Sequence, residues 1–176
     1  MKFFFFSLLL FFLFILQISV LPFLLIFGVL PNLLLVASIF FIFYPLGRGL
    51  DYRELMAFSF ASGFLIDTYS GMPFGVVMLS FILTVALVHF LAYNFLEKAN
   101  FFMVCIGVLI GSIAYSIISF GILRLYIAFN LISDLGFDYS VFFKVMLIFS
   151  VLNIGAVMVM HIPFKKFVIF TDKFKR

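Results

Sequence analysis

The sequence predicts an all-α integral membrane protein with about six transmembrane helices, the third of them short. Three observations predict it. The first is composition: 67% of the 176 residues are hydrophobic and 10% are charged, with a mean hydropathy of +1.39. Soluble domains carry about 25% charged residues. This chain lacks the polar side chains to make a water-facing exterior, so the solvent for most of its surface must be lipid. The second is layout. Long apolar runs alternate with short polar connections, and no connection has room for a soluble domain, so 1–176 reads as a single polytopic membrane domain. The third is the placing of positive charge. Six crossings put both termini on one side. Lys2, Arg48, Arg53, Lys98, Lys165, Lys166, Lys173, Lys175 and Arg176 fall on that side, leaving Arg124 and Lys144 for the other. Loops rich in Lys and Arg stay in the cytoplasm, so both termini are expected there.

The first helix is expected over 3–20. Lys2 and an apolar run also have the look of a secretory signal, but residues 17–22 offer no small-x-small cleavage site, so the helix is expected to be retained. Pro22 should break it, because a proline disfavours helix at the residue before it. Residues 23–30 are too few to cross a bilayer and read as a partly buried loop. The second helix, 32–46, suits Pro31 at its first turn and should begin in the outer headgroup layer. After a polar connection holding Arg48, Asp51, Arg53 and Glu54 comes the short third helix, 55–66. Its small residues at spacing four, Ala57/Ala61 and Ser59/Gly63, would let backbones approach closely. The fourth helix is expected over 74–96, started by Pro73. The fifth covers 101–123, with Gly107-x-x-x-Gly111 facing a neighbour and Arg124 at its end. Residues 125–139 could lie in the interface as an amphipathic segment, with Asp134 and Asp138 outside. Ser140 should cap the sixth helix, 142–162, which Pro163 stops. A basic cytoplasmic tail follows over 163–176.

The chemistry-bearing residues are few. The chain has no Gly-rich phosphate loop, nucleophile elbow, His-Glu-x-x-His or Cys-x-x-Cys, and its lone Cys105 makes no disulfide or cysteine metal site. No catalysis, metal, cofactor or nucleic-acid partner is expected. His89 and His161 could belong to a proton path, or could simply hydrogen-bond packing partners such as Thr84 and Asn153. The densest cluster of special residues is 63–75. Asp67 there is either a carboxylate for a partner at the outer surface or an acceptor for N–H groups of the Thr68–Gly71 turn. Gly71 and Gly75 would take conformations closed to other residues. Lys165, Lys166, Lys173, Lys175 and Arg176 would meet anionic lipid or an acidic cytoplasmic protein.

Three groups of residues resemble the bacterial rod shape-determining MreD family. They are Leu16-Gln17 with Leu21-Pro22, then Gly28-Val29-Leu30-Pro31-Asn32-Leu33-Leu34-Leu35, and then Gly63-Phe64-Leu65-Ile66-Asp67 with Ser70-Gly71-x-Pro73-x-Gly75. The likeness covers the first half of the chain and extends to the second by hydropathy alone. It implies a non-enzymatic subunit of the cell-wall elongation machinery in the inner membrane. Its partners would be an MreC-like bitopic protein, an MreB-like actin filament, and a RodA-type glycosyltransferase with its penicillin-binding partner. It also implies a fold similar to the substrate-binding subunits of energy-coupling-factor transporters. A vitamin or metabolite transporter subunit is therefore the rival function. Such subunits carry small residues on the first helix and polar residues around an outward pocket. Residues 3–20 here contain no Ala or Gly, and the outer half of the chain is poor in polar groups. A lipid-modifying enzyme would need an acid/base pair at one membrane depth, which the sequence does not provide.

Overall fold

The shortest helix is the post around which the others stand. The computed structural model describes residues 2–43, 51–95, 100–133 and 138–173, and these are helical apart from their connections. Six α-helices are present among them: α1 Lys2–Ile15, α2 Leu33–Phe43, α3 Tyr52–Tyr69, α4 Val76–Phe95, α5 Phe101–Ala128 and α6 Tyr139–Lys173. Four stretches are long and apolar enough to cross a membrane: Phe4–Phe23, Val76–Asn94, Phe101–Ala128 and Tyr139–Phe167. That is the build of a multi-pass membrane protein. Of the six expected spans, α2 is shorter and α3 carries Arg53, Glu54 and Asp67. α2 is apolar all round, and every residue from Leu34 to Phe41 is buried. It packs on α1, α3, α4, α5 and α6, as a helix with no polar face must. Consecutive helices from α3 to α6 pack as neighbours, and α1 leans on α2 and α3.

α2 begins among its neighbours. The Asn32 N–H donates to Asn153 Oδ1 at 2.7 Å, and Asn153 lies about 21 Å along α6 from Tyr139 at ~1.5 Å per residue. The start of α2 is therefore inside the bundle. Residues ahead of it descend as a non-helical segment with a tight turn at its tip. Phe27 and Gly28 take φ of 51° and 78°, while Ile26 and Val29 exchange backbone hydrogen bonds of 3.0 and 3.2 Å. Positive φ at both central residues is the two-residue hairpin geometry.

α3, α5 and α6 overrun their expected ends, and α1 runs on into a π and a 3-10 turn. Pro22 does not break the first helix. The turn widens into a π-helix over Leu16–Val20, with the Leu21 N–H reaching Leu16 O, and a 3-10 turn over Leu21–Leu24 takes Pro22 in its first positions, where a missing N–H matters least. Chain direction changes only at Leu25, with ψ 113°. α3 starts at Tyr52 because Asp51, in extended conformation, accepts the Leu55 N–H at 3.1 Å. Arg53 and Glu54 thus form a first helical turn, where an acid suits the dipole. α4 starts at Val76, so Pro73 lies before it and not at its start. Arg124 does not end α5. Its guanidinium covers the rings of Phe120 and Tyr139 at 5.1 and 5.4 Å, and the helix runs on to Ala128. There Asn130 takes φ 56°. The Asn130 N–H bonds Ile127 O and the Leu131 N–H bonds Tyr126 O, the left-handed closure that Asn tolerates. Of the amphipathic segment expected over 125–139, residues 125–128 are the last turn of α5 and Tyr139 is the first residue of α6, while 134–137 lie outside the described residues.

α6 is capped by Asp138, not Ser140. The Ser140 N–H and hydroxyl donate to its two oxygens at 2.9 and 2.8 Å, and these bonds hold the Asp138 carboxyl below its usual range. Pro163 sits inside α6, which continues to Lys173. Proline there removes one backbone bond, and it does so on the exposed side of α6, where Val159, Ile162 and Pro163 are all exposed. Arg48, Glu97, Lys98, Asp134, Lys175, Arg176 and the Lys173 side chain lie outside the described residues.

Candidate functional site

The corner between α3 and α4 is built from Asp67 outwards. Asp67 stands one turn after Gly63 on the α3 face that meets α4. A Cβ at Gly63 would come within 3.0 Å of Met78 Cα and 3.1 Å of Phe81 Cβ, so the glycine sets the helix separation. The Asp67 side chain, 3% exposed, accepts the Gly75 N–H, and its other oxygen accepts the Val77 N–H at 3.0 Å. A carboxylate on the last turn of one helix thus caps the first turn of the next, where the helix dipole favours negative charge.

The donors expected from the Thr68–Gly71 turn are not the ones that reach the Asp67 carboxylate, and the turn makes its own bonds. Thr68 Oγ1 donates to Leu65 O, Ser70 Oγ donates to Asp67 O, and the Met72 N–H donates to Ser70 Oγ. The Asp67 carboxylate is turned into the corner and away from the surface. Gly71 and Gly75 take φ of +67° and +96°, and Pro73 O accepts the Val76 N–H. Tyr126, near the end of α5, donates its hydroxyl to Phe74 O at 2.9 Å and ties a third helix to the same corner.

A second polar centre holds the buried start of α2. Gln17 Nε2 donates to Pro31 O, and the Leu33 N–H donates to Gln17 Oε1, both at 2.8 Å. Asn32 Oδ1 caps the helix by accepting the Leu35 N–H at 3.0 Å. Asn153 accepts the Asn32 N–H and donates its own Nδ2 to Ser112 Oγ at 2.9 Å. Three helices are thereby joined to α2 by uncharged groups. A helix start in an apolar interior needs such partners, because water cannot supply them. Sequence reasoning set Asn153 beside a histidine and gave Ser112 no role. The signal available was an amide in an otherwise apolar helix, which in lipid calls for a partner.

The small residues divide by face. A Cβ at Gly111 would lie 2.5 Å from Ile39 Cδ1, and one at Gly107 would overlap Cε2 and Cζ at the edge of the Phe43 ring. Both glycines therefore receive α2. On α3 the close approach uses Ser59, Ser62 and Gly63, all buried, whereas Ala57 is exposed and Ala61 half-buried. The two histidines are housed among rings. His89 packs on Tyr52 at 5.0 Å, and His161 on Phe101 at 4.8 Å and Phe40 at 5.8 Å. Asn153 is not their partner, and the buried Thr84 hydroxyl has no hydrogen-bond partner among the described residues. No group of three His, Cys, Asp or Glu side chains that could hold a metal occurs among the described residues. Between α5 and α6, beside Met72, lies a cavity of about 220 Å³ that Tyr115, Ser116, Ser119 and Phe149 help to line. Lys165 and Lys166 are exposed on α6 beyond Pro163. No known family, curated protein or solved structure matches the chain.

Proposed function

We propose that this chain is an MreD-like scaffold subunit of the bacterial cell-wall elongation machinery. In this reading it is not an enzyme. It crosses the inner membrane six times with both termini in the cytoplasm, as the bias of positive charge requires. It holds an MreC-like bitopic protein beside an MreB-like filament and a RodA-type glycosyltransferase with its penicillin-binding partner. The observation that carries the reading is what the family-like residues do. Gln17, Pro31 and Asn32 fix the start of α2, and Asp67, Gly71 and Gly75 fix the α3–α4 corner. These residues are occupied with one another, so their chemistry is spent on rigidity. Rigidity is what a protein that positions others needs. Exposed faces such as the one bearing Ala57 remain for helix contacts, which in lipid rest on packing and hydrogen bonding.

Depleting the gene in a rod-shaped host tests this. The expected result is rounded cells, with the MreC-like protein lost from pull-downs of the synthase. Unchanged rods and an unchanged complex would remove the proposal. The transporter reading is kept by one observation, the 220 Å³ cavity with Tyr115, Ser116 and Ser119 at its wall. Nanomolar binding of a vitamin-like molecule by the purified chain would favour it.

A further inference from the structure

A second cavity, about 530 Å³, opens sideways between the first and last helices. Leu13 of α1, Val20 of the π turn that follows it, Pro31, and Gly155, Val159 and Pro163 of α6 help to line it. It exists because α1 packs on α2 and α3 while α6 packs on α5 and α2. Gly155 keeps it open, since a Cβ there would meet nothing within 4 Å. Along α6 the groove runs from Leu152 to Phe167, about 22 Å at ~1.5 Å per residue. That exceeds the ~15 Å hydrocarbon depth of one leaflet, yet falls short of the ~20 residues of a spanning helix. Lys166 is exposed and stands one helical step of three residues beyond Pro163, next in sequence to the groove residue Phe167, which puts it beside the end of the groove nearest the termini. Lys165, also exposed, lies on the other side of the helix from Pro163.

We infer that this groove binds one acyl chain of an anionic phospholipid, drawn from the leaflet on the side of the termini, with the headgroup phosphate at Lys166. Length and charge select that occupant. The apolar trough matches a fatty chain, a partner helix would overhang it, and the ammonium at its mouth matches a phosphate. Such a lipid would wedge α1 against α6 and so complete the side of the bundle that the protein leaves open. This site is independent of the cell-shape reading.

The test uses the full-length chain in detergent, with phosphatidylglycerol and phosphatidylcholine of identical acyl chains added in turn. Native mass spectrometry counts retained lipid, and thermal unfolding reads its effect. Phosphatidylglycerol should be retained preferentially and should raise the melting midpoint by about 2–4 °C. Lys166→Gln should weaken its retention about fivefold, the scale of one basic residue at an anionic surface, whereas Lys165→Gln should not. Gly155→Leu should fill the groove and abolish retention without changing helicity or elution volume. If Gly155→Leu does not assemble, the two lysine variants decide alone. Equal retention of both lipids, or equal effects of the two lysine substitutions, would overturn the assignment. So would a Val159→Cys chain, with Cys105 replaced, that crosslinks in native membranes to another polypeptide.

Discussion

Asp67 shows how one residue can be read correctly in kind and wrongly in place. Its carboxylate accepts two backbone N–H groups, but these belong to Gly75 and Val77 across the corner. Asp67→Ala leaves both donors buried without an acceptor, and hydrogen bonds to a charged group are worth about 1.5–3 kcal/mol each. We expect Asp67→Ala to lose about 2–3 kcal/mol of stability and Asp67→Asn to lose less, since one amide oxygen can keep one donor. Thermal unfolding of the two variants in detergent orders them, and an Asn variant as stable as the native chain would show that the second acceptor is idle. Gly71 separates conformation from space. Its φ is +67° and a Cβ would meet nothing within 4 Å. Gly71→Val should therefore cost about 1–2 kcal/mol by backbone strain alone, and Gly71→Asn, which tolerates that region, should recover most of it. Equal loss in both variants would point to a clash instead.

At the scale of the element, the apolar runs placed every helix but misjudged several of the ends. Hydropathy marks where side chains leave lipid, and that is not where the backbone stops being helical. Arg53, Glu54 and Arg124 read as borders, yet each sits inside a helix, Arg53 and Glu54 in the first turn of α3 and Arg124 one turn before the end of α5. Pro22 and Pro163 read as stops, yet one is taken up in the first positions of a 3-10 turn and the other sits inside a helix that runs on for ten residues beyond it. The glycines of the corner were legible because positive φ has a local signature. The Gln17–Asn32–Asn153–Ser112 centre was not legible, because it joins groups up to 121 residues apart and no local pattern announces such a pairing. The Gly107/Gly111 pair was visible as a packing face, but its partner α2 was not. That partner gives a clear test. Gly107→Leu would drive a side chain into the Phe43 ring, and overpacking costs about 1–3 kcal/mol or more. Gly121, on the same helix, faces open space. We expect Gly107→Leu to lower folded yield and melting midpoint sharply, with Gly121→Leu near the native values. Matching behaviour of the two would mean that α5 is not seated on α2 through that glycine.

For the whole molecule, the central place of α2 constrains how the bundle sits in a bilayer. A core helix that starts inside the protein needs no match to the membrane, because its ends are clothed by neighbours. The bilayer must be met by the four long apolar helices, Phe4–Phe23 among them. With alternating helices, the α3–α4 corner and the α5–α6 connection fall at the end opposite the termini. Lys165 and Lys166 mark the other end. The charge rule then makes a definite statement about sidedness, and the structure supplies suitable probes. Met72 is 48% exposed at the corner and its side chain takes no part in the corner's hydrogen bonds, whereas the Ser70 hydroxyl is engaged in the turn. In a Cys105→Ser background, Met72→Cys should react with a membrane-impermeant maleimide on intact spheroplasts. Lys165→Cys should react only after the membrane is opened. The reverse pattern would invert the protein in the membrane and put the α3–α4 corner on the cytoplasmic side.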